Sequence, residues 1–192
     1  GKLDIEYKVL PEVIIVSKTM REYSPGYQSK DFAPLGNLSE EAWRLADQKF
    51  SGIKFSDYDL FIVFHAGVSN GLDLGIFSID RNLPSLYLST ASLKKIFGNQ
   101  FSGFPTRSGN IPNTMILPET ESREQVYIDN STVLLELTIN GAIVANIASH
   151  LGLPDLFDTE TGKSAIGRFG LMDGQAINAN NGMFPPEPSA WE

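Results

Sequence analysis

The stretch that most constrains the fold of this chain is the apolar segment ending at Gly152. Gly152 suits the left-handed conformation that closes a helix, and Pro154, two residues later, cannot continue one. We therefore predict a helix that ends at Gly152 and starts between Ser131 and Asn140. The alternating apolar residues between Val133 and Ile139 also fit a strand, so that part of the segment stays ambiguous.

The spacing around this helix end matches that of a zinc-binding helix, but the residues do not. In such a helix two histidines at i and i+4 share one face, a glutamate follows the first, and a glycine turns the chain toward a third ligand. Aligned on Gly152 and Asp155, the template puts Ala145 and Ser149 at the histidine positions and Asn146 at the glutamate position. We predict no catalytic residue there, and Asp155 remains as a vestigial zinc-ligand position.

A shift of the alignment by one residue does not restore the motif. It brings His150 into the second histidine position, but Asn146 then replaces the first histidine and Ile147 replaces the base. In the unshifted alignment His150 points away from the face that Ala145 and Ser149 share, because consecutive helical residues are about 100° apart. A zinc site with three protein ligands and an open position is therefore not expected.

Three further motifs occur in order along the chain. They are FSDYDLFIVFHAG at residues 55–67, LGLPDLFD at residues 151–158 and LMDG at residues 171–174. With the helix they resemble the immune inhibitor A-type secreted metallopeptidases, a zincin family that reads approximately HExGHxLGLPDxYD followed by an LM turn. The resemblance covers about two-thirds of the chain and is specific mainly because the pieces occur together.

The resemblance implies a fold and a location. The fold is α/β (α+β) and zincin-like, with a twisted mixed β-sheet packed on helices and a Met-turn at Met172. His65, His150 and Met172 would line the cleft, and residues 152–172 would return beneath it. Residues 1–192 would form a single domain, a fragment of a longer secreted chain. Residues 75–88 would supply an exposed sheet edge that binds an extended peptide or a neighbouring protein chain.

Composition limits the function further. The chain has 192 residues, a net charge of −8, a pI near 4.8 and no cysteine. A single domain of this length can bury a core without disulfides. The acidic balance argues against a nucleic-acid partner, and the absence of an unbroken apolar run argues against a membrane span.

Outside the motifs, local patterns predict several elements. A β-branched run predicts a strand at Glu12 to Val16, and Asn37 or Ser39 can cap a helix at Glu40 to Phe50. The remaining predictions are a buried strand at Asp59 to Phe64, a strand at Leu86 to Leu88 and a helix at Ser92 to Phe97.

Three functions are compatible with these patterns. The first is a catalytically degenerate metallopeptidase-like domain that acts as a binding or structural module of an extracellular protein. The second is an active zinc metallopeptidase with rearranged ligands from His65, His150 and Asp155. The third is a calcium-stabilised cell-surface module, because Asp158 and Glu160 place carboxylates in one turn.

Overall fold

The computed structural model describes residues 3–26, 29–69, 82–158, 163–167, 169–173 and 183–190. Within these residues the chain is a mixture of helices and strands. The helices are α1 (Met20–Tyr23), α2 (Ala33–Lys49), α3 (Thr90–Phe97) and α4 (Asn140–His150), with a 3-10 turn at Phe55–Asp57. The strands are β1 (Ile62–His65), β2 (Leu86–Leu88), β3 (Phe104–Thr106), β4 (Gly109–Ile111), β5 (Thr114–Pro118), β6 (Arg123–Val126) and β7 (Thr132–Leu135).

The main sheet of the described chain has the order β1-β5-β2. β1 runs parallel to β5, with Ile62 opposite Met115, whereas β2 runs antiparallel, with Tyr87 opposite Met115. The sheet is therefore mixed, as predicted. The two remaining strand pairs, β3-β4 and β6-β7, are antiparallel hairpins.

One face of this sheet is covered by α2 and α3. Ile116 of β5 and Leu88 of β2 belong to the same buried cluster as Trp43 of α2 and Leu93 of α3. The indole Nε1 of Trp43 donates to the Thr114 hydroxyl at 3.1 Å, so the one polar side chain that β5 directs to this side has a partner.

The opposite face is covered by α4. Because side chains alternate along a strand, Ile62, Met115 and Tyr87 lie on the other side of the sheet from Ile116. They pack against Ala142, Ile143 and Ile147 of α4. The sheet thus separates α2 and α3 from α4, the helix that carries Ala145, Ser149 and His150.

The predicted strand at Glu12 to Val16 is wrong. Residues 12–16 form no helix or strand, and no backbone hydrogen bond joins them to another backbone group of the described chain. Ile14 and Val16 pack against the core while Val13 and Ile15 are exposed. The local pattern was that of a strand, but a strand also needs a partner.

The predicted cap of the second helix is also wrong. α2 begins at Ala33, not Glu40, because Asp31 accepts a hydrogen bond from the Ala33 N–H at 2.9 Å and Pro34 occupies the first turn. Ser39 is buried inside the helix, where its hydroxyl donates to the Leu35 carbonyl at 2.8 Å. The Ser39 hydroxyl therefore has its hydrogen-bond partner inside the helix and does not cap it.

The other elements fall close to their predictions. The strand predicted at Asp59 to Phe64 is Ile62–His65, the strand at Leu86 to Leu88 is confirmed, and the helix at Ser92 to Phe97 starts two residues earlier. Ser89 caps that helix by accepting a hydrogen bond from the Ser92 N–H. None of the helices in the described part of the chain combines the length and the apolar character needed to cross a membrane.

Candidate functional site

The candidate site lies where the C-terminal half of α4 meets β2 and the segment that follows the helix. We call it the α4 site and define it by Ala145, Asn146, Ser149 and His150 of α4, Tyr87 of β2, Asp155 and Met172. The helix ends at His150, and Gly152 has φ +95°, as predicted for a left-handed residue at a helix end. The chain then turns back along the helix.

The polar side chains of Asn146 and Ser149 are turned back onto the helix. The Asn146 amide donates to the Ala142 carbonyl at 2.8 Å, and the Ser149 hydroxyl donates to the Ala145 carbonyl at 3.1 Å. These bonds to residues four positions earlier are the local alternative open to short polar side chains in helices. Neither side chain is directed at an external ligand.

Ala145 lies on the side of α4 that contacts the returning segment. It packs against a cluster built around Ala148, Leu171 and Met172, to which Leu153 and Leu156 also belong. The Leu156 N–H donates to the Met172 carbonyl at 2.9 Å, which joins the segment after Asp155 to the turn that contains Met172. Ala145, Asp155 and Met172 therefore belong to one region of the fold.

A buried carboxylate holds this return in place. Asp173 is 1% exposed, and its two oxygens accept from the Ser164 hydroxyl at 2.5 Å and the Ala165 N–H at 3.1 Å. Residues 156–158 and 163–165 form a short ladder, with a bridge between Phe157 and Ser164. The LMDG motif contains Asp173, yet sequence reasoning gave this residue no role.

The fold disfavours the ionised form of the Asp155 carboxyl. Its side chain is exposed, but the protein atoms around it remove enough water to raise the pKa of the carboxyl. No lysine, arginine or histidine of the described chain forms an ion pair with it. Partial burial without a nearby cation is the physical cause of the raised pKa.

His150 is engaged with the edge strand. Its Nδ1 lies 3.0 Å from the Tyr87 hydroxyl, and the two rings meet edge to face with centroids 5.4 Å apart. Burial raises the pKa of Tyr87, which keeps its hydroxyl neutral and able to donate to the imidazole. Tyr87 is not among the site residues predicted from the sequence, because nothing in a short LYL run shows which helix the tyrosine side chain will face.

The backbone of Tyr87 points away from the sheet. The Met115 N–H donates to the Phe61 carbonyl at 2.7 Å, so Met115 turns its backbone groups toward β1. Tyr87 is opposite Met115 and is therefore in a non-hydrogen-bonded pair, with its N–H and C=O directed outward. No described strand lies beyond β2, and the predicted edge at residues 75–88 is described only from residue 82 onward.

His65 lies on the other side of the sheet from His150. It ends β1, and side-chain alternation puts it on the face of Phe61 and Val63, which pack toward α2 and α3. Burial lowers its pKa, partly offset by a contact with the Ala66 carbonyl and by Glu121 and Glu119. Its Nε2 is buried and has no hydrogen-bond partner in the described chain.

The rearranged ligand set is consequently not assembled. His65, His150 and Asp155 are all described, and no three His, Asp or Glu side chains among the described residues are placed to hold a metal ion. The separation of the two histidines by the sheet is the physical reason. Of the predicted cleft residues, His150 and Met172 belong to the α4 region and His65 does not.

The calcium prediction falls partly outside the described residues. Asp158 is exposed, and its N–H donates to the Lys163 carbonyl at 2.9 Å. Glu160, the second proposed ligand, lies outside the described residues. Calcium binding at Asp158 and Glu160 stays a prediction.

Comparisons with known proteins identify no relative: neither a protein-family model, nor a curated protein, nor a solved structure matches this chain. The function must therefore be argued from the site. The α4 site offers an apolar floor, one carboxylate, a tyrosine-histidine pair and an outward-facing backbone at the sheet edge.

We expect D173A to destabilise the protein by about 2 to 4 kcal/mol, because it removes the buried carboxylate that accepts hydrogen bonds from the Ser164 hydroxyl and the Ala165 N–H. Urea unfolding followed by circular dichroism measures this loss. D59A removes an exposed aspartate and serves as the control. Equal free energies of unfolding for the two variants would show that Asp173 does not hold the return segment.

We expect D155N to raise the melting temperature at neutral pH. The folded pKa of Asp155 is raised, so the folded state binds its proton more readily, and ionisation above that pKa costs stability. The gain from D155N should shrink as the pH falls through the folded pKa and vanish below the ordinary aspartate pKa of 3.8. Melting curves from acid to neutral pH, with D59N as control, test the sign, and a gain that persists in acid contradicts it.

Proposed function

We propose that this chain is a catalytically degenerate relative of the immune inhibitor A-type secreted metallopeptidases that binds an extended peptide instead of cleaving it. The domain would be zincin-like and part of an extracellular protein. The observation that carries the proposal is the α4 site, where Asn146 and Ser149 bond back onto the helix beside a strand edge that no described strand covers. The motifs at residues 151–158 and 171–174 support the family assignment.

The residues of α4 do not fit a zinc ion. Zinc needs imidazole, thiolate or carboxylate ligands, and the template positions hold a methyl group, an amide and a hydroxyl. The amide of Asn146 and the hydroxyl of Ser149 are already bonded to helix carbonyls. Asp155 alone would bind zinc weakly. We derive no zinc-dependent step for this chain.

The strand edge favours binding over a purely structural role. An extended peptide beside β2 could accept a hydrogen bond from the Tyr87 N–H and donate one to its carbonyl, which is strand addition. The Tyr87 side chain is fixed by His150 and by the α4-facing core, so the backbone at this position is held rigidly. A backbone that is already rigid loses less conformational entropy when a peptide binds to it.

Restoring the histidines tests whether α4 retains the frame of a metal helix. We expect A145H/S149H to retain about one zinc per chain after dialysis, measured by elemental analysis, because Asp155 supplies the third ligand. A145H, which adds a single imidazole beside Asp155, is the matched control and should retain little. Adding D155A to A145H/S149H should remove most of the bound zinc.

Two outcomes would contradict the proposal that α4 retains the geometry of a zinc-binding helix. One is equal zinc content in A145H and A145H/S149H, and the other is indifference of bound zinc to D155A. S149H alone leaves the Met172 cluster unchanged, so it keeps the test open if A145H disturbs folding. It should bind zinc more tightly than the wild-type chain does, as measured by competition with a coloured chelator.

Tyr87 variants test the binding function separately. Decapeptides selected from a displayed random library should bind the wild-type chain and Y87A, which keeps the backbone donor. Y87P removes that donor, and we expect it to bind about tenfold more weakly than Y87A. Proline is tolerated on edge strands, so melting curves should show that Y87P still folds. Equal binding by Y87A and Y87P would exclude strand addition at β2.

A further inference from the structure

A second unpaired strand-like segment lies at residues 3–10, away from the α4 site in sequence. Apolar residues alternate along it and are 58%, 53%, 84% and 74% exposed at Leu3, Ile5, Tyr7 and Val9. The residues between them are charged, and these are Asp4, Glu6 and Lys8. A period of two is that of a β-strand with one apolar face.

The backbone of this segment is also unpaired. Residues 3–10 belong to no helix or strand, and no backbone N–H or C=O in them bonds to another backbone group of the described chain. An exposed segment with free backbone groups and an apolar row is a template for pairing with another strand. Large apolar side chains exposed in such a row mark an interaction surface.

We propose that residues 3–10 pair with the same residues of a second copy of this chain as an antiparallel ribbon centred on Tyr7. In this register Tyr7 faces Tyr7, Ile5 faces Val9, and Glu6 faces Lys8 on both sides of the centre. Directly opposite aromatic, apolar and oppositely charged pairs all stabilise antiparallel strands. The segment is thus complementary to itself.

The neighbouring registers are less favourable. Only shifts by two residues keep the apolar side chains on one face. One such shift pairs Asp4 with Lys8 but puts Glu6 opposite Glu6 at the centre, and the shift in the other direction puts Lys8 opposite Lys8. A larger shift puts Asp4 opposite Glu6. Like charges directly opposite each other are destabilising. Charge therefore selects the register centred on Tyr7.

The partner is a second copy, and the dimer is expected to be weak. A two-stranded ribbon alone is marginal in water, and two chains of net charge −8 repel each other. Association should therefore need a high protein concentration. Added salt should weaken the Glu6-Lys8 attraction less than it screens the long-range repulsion.

Charge exchange tests the proposal. Sedimentation velocity over a range of concentrations up to millimolar should show a reversible dimer of the whole chain. K8E puts two Glu6-to-glutamate contacts in the ribbon, and we expect the dimer dissociation constant to rise at least about tenfold. The double variant E6K/K8E restores opposite charges and should return within about threefold of the wild type.

K54E makes the same charge change at an exposed lysine outside the segment and is the matched control. It should leave the dissociation constant within about threefold of the wild type. Amide hydrogen exchange should also slow at residues 5–9 as concentration rises. A chain that stays monomeric at millimolar concentration, or a dimer equally weakened by K54E and K8E, would overturn the proposal.

Discussion

All five residues of β5 are buried, so each of its faces needs an apolar layer. Alternation along the strand sends Thr114 and Ile116 toward α2 and α3, and Met115 and Leu117 toward α4. The site follows from this arrangement. β1 and β2 flank β5, and alternate residues along each of these strands face opposite sides of the sheet. Tyr87 falls on the α4 side, whereas His65 falls on the opposite side.

Local chemistry explains which parts of the fold could be predicted from the sequence. Gly152 and Pro154 specify a helix end through backbone preferences that need no partner, and the helix ends there. Ser39 misled the prediction of α2 because the same hydroxyl can cap a helix or bond back inside one. The start was determined by Asp31 and Pro34, a signal that was present but not used.

The parts that could not be predicted depend on contacts between distant residues. The Tyr87-His150 bond joins residues 63 positions apart and requires both the register of β2 and the packing of α4. The run from Glu12 to Val16 has the composition of a strand but lacks a partner within the described chain. The composition of a segment shows that it is able to form a strand, but it forms one only where another strand is available for hydrogen bonding.

The Tyr87-His150 contact allows nuclear magnetic resonance to detect changes at the edge of β2 without an added probe. The sequence contains only two histidines, and the sheet separates them. The imidazole of His150 senses the ring and hydroxyl of Tyr87, so its nuclear magnetic resonance shift follows any displacement of the strand beside it. The imidazole of His65 lies beyond β5 and supplies an internal reference. Two resonances without labels therefore distinguish an event at the strand edge from a general change in the molecule.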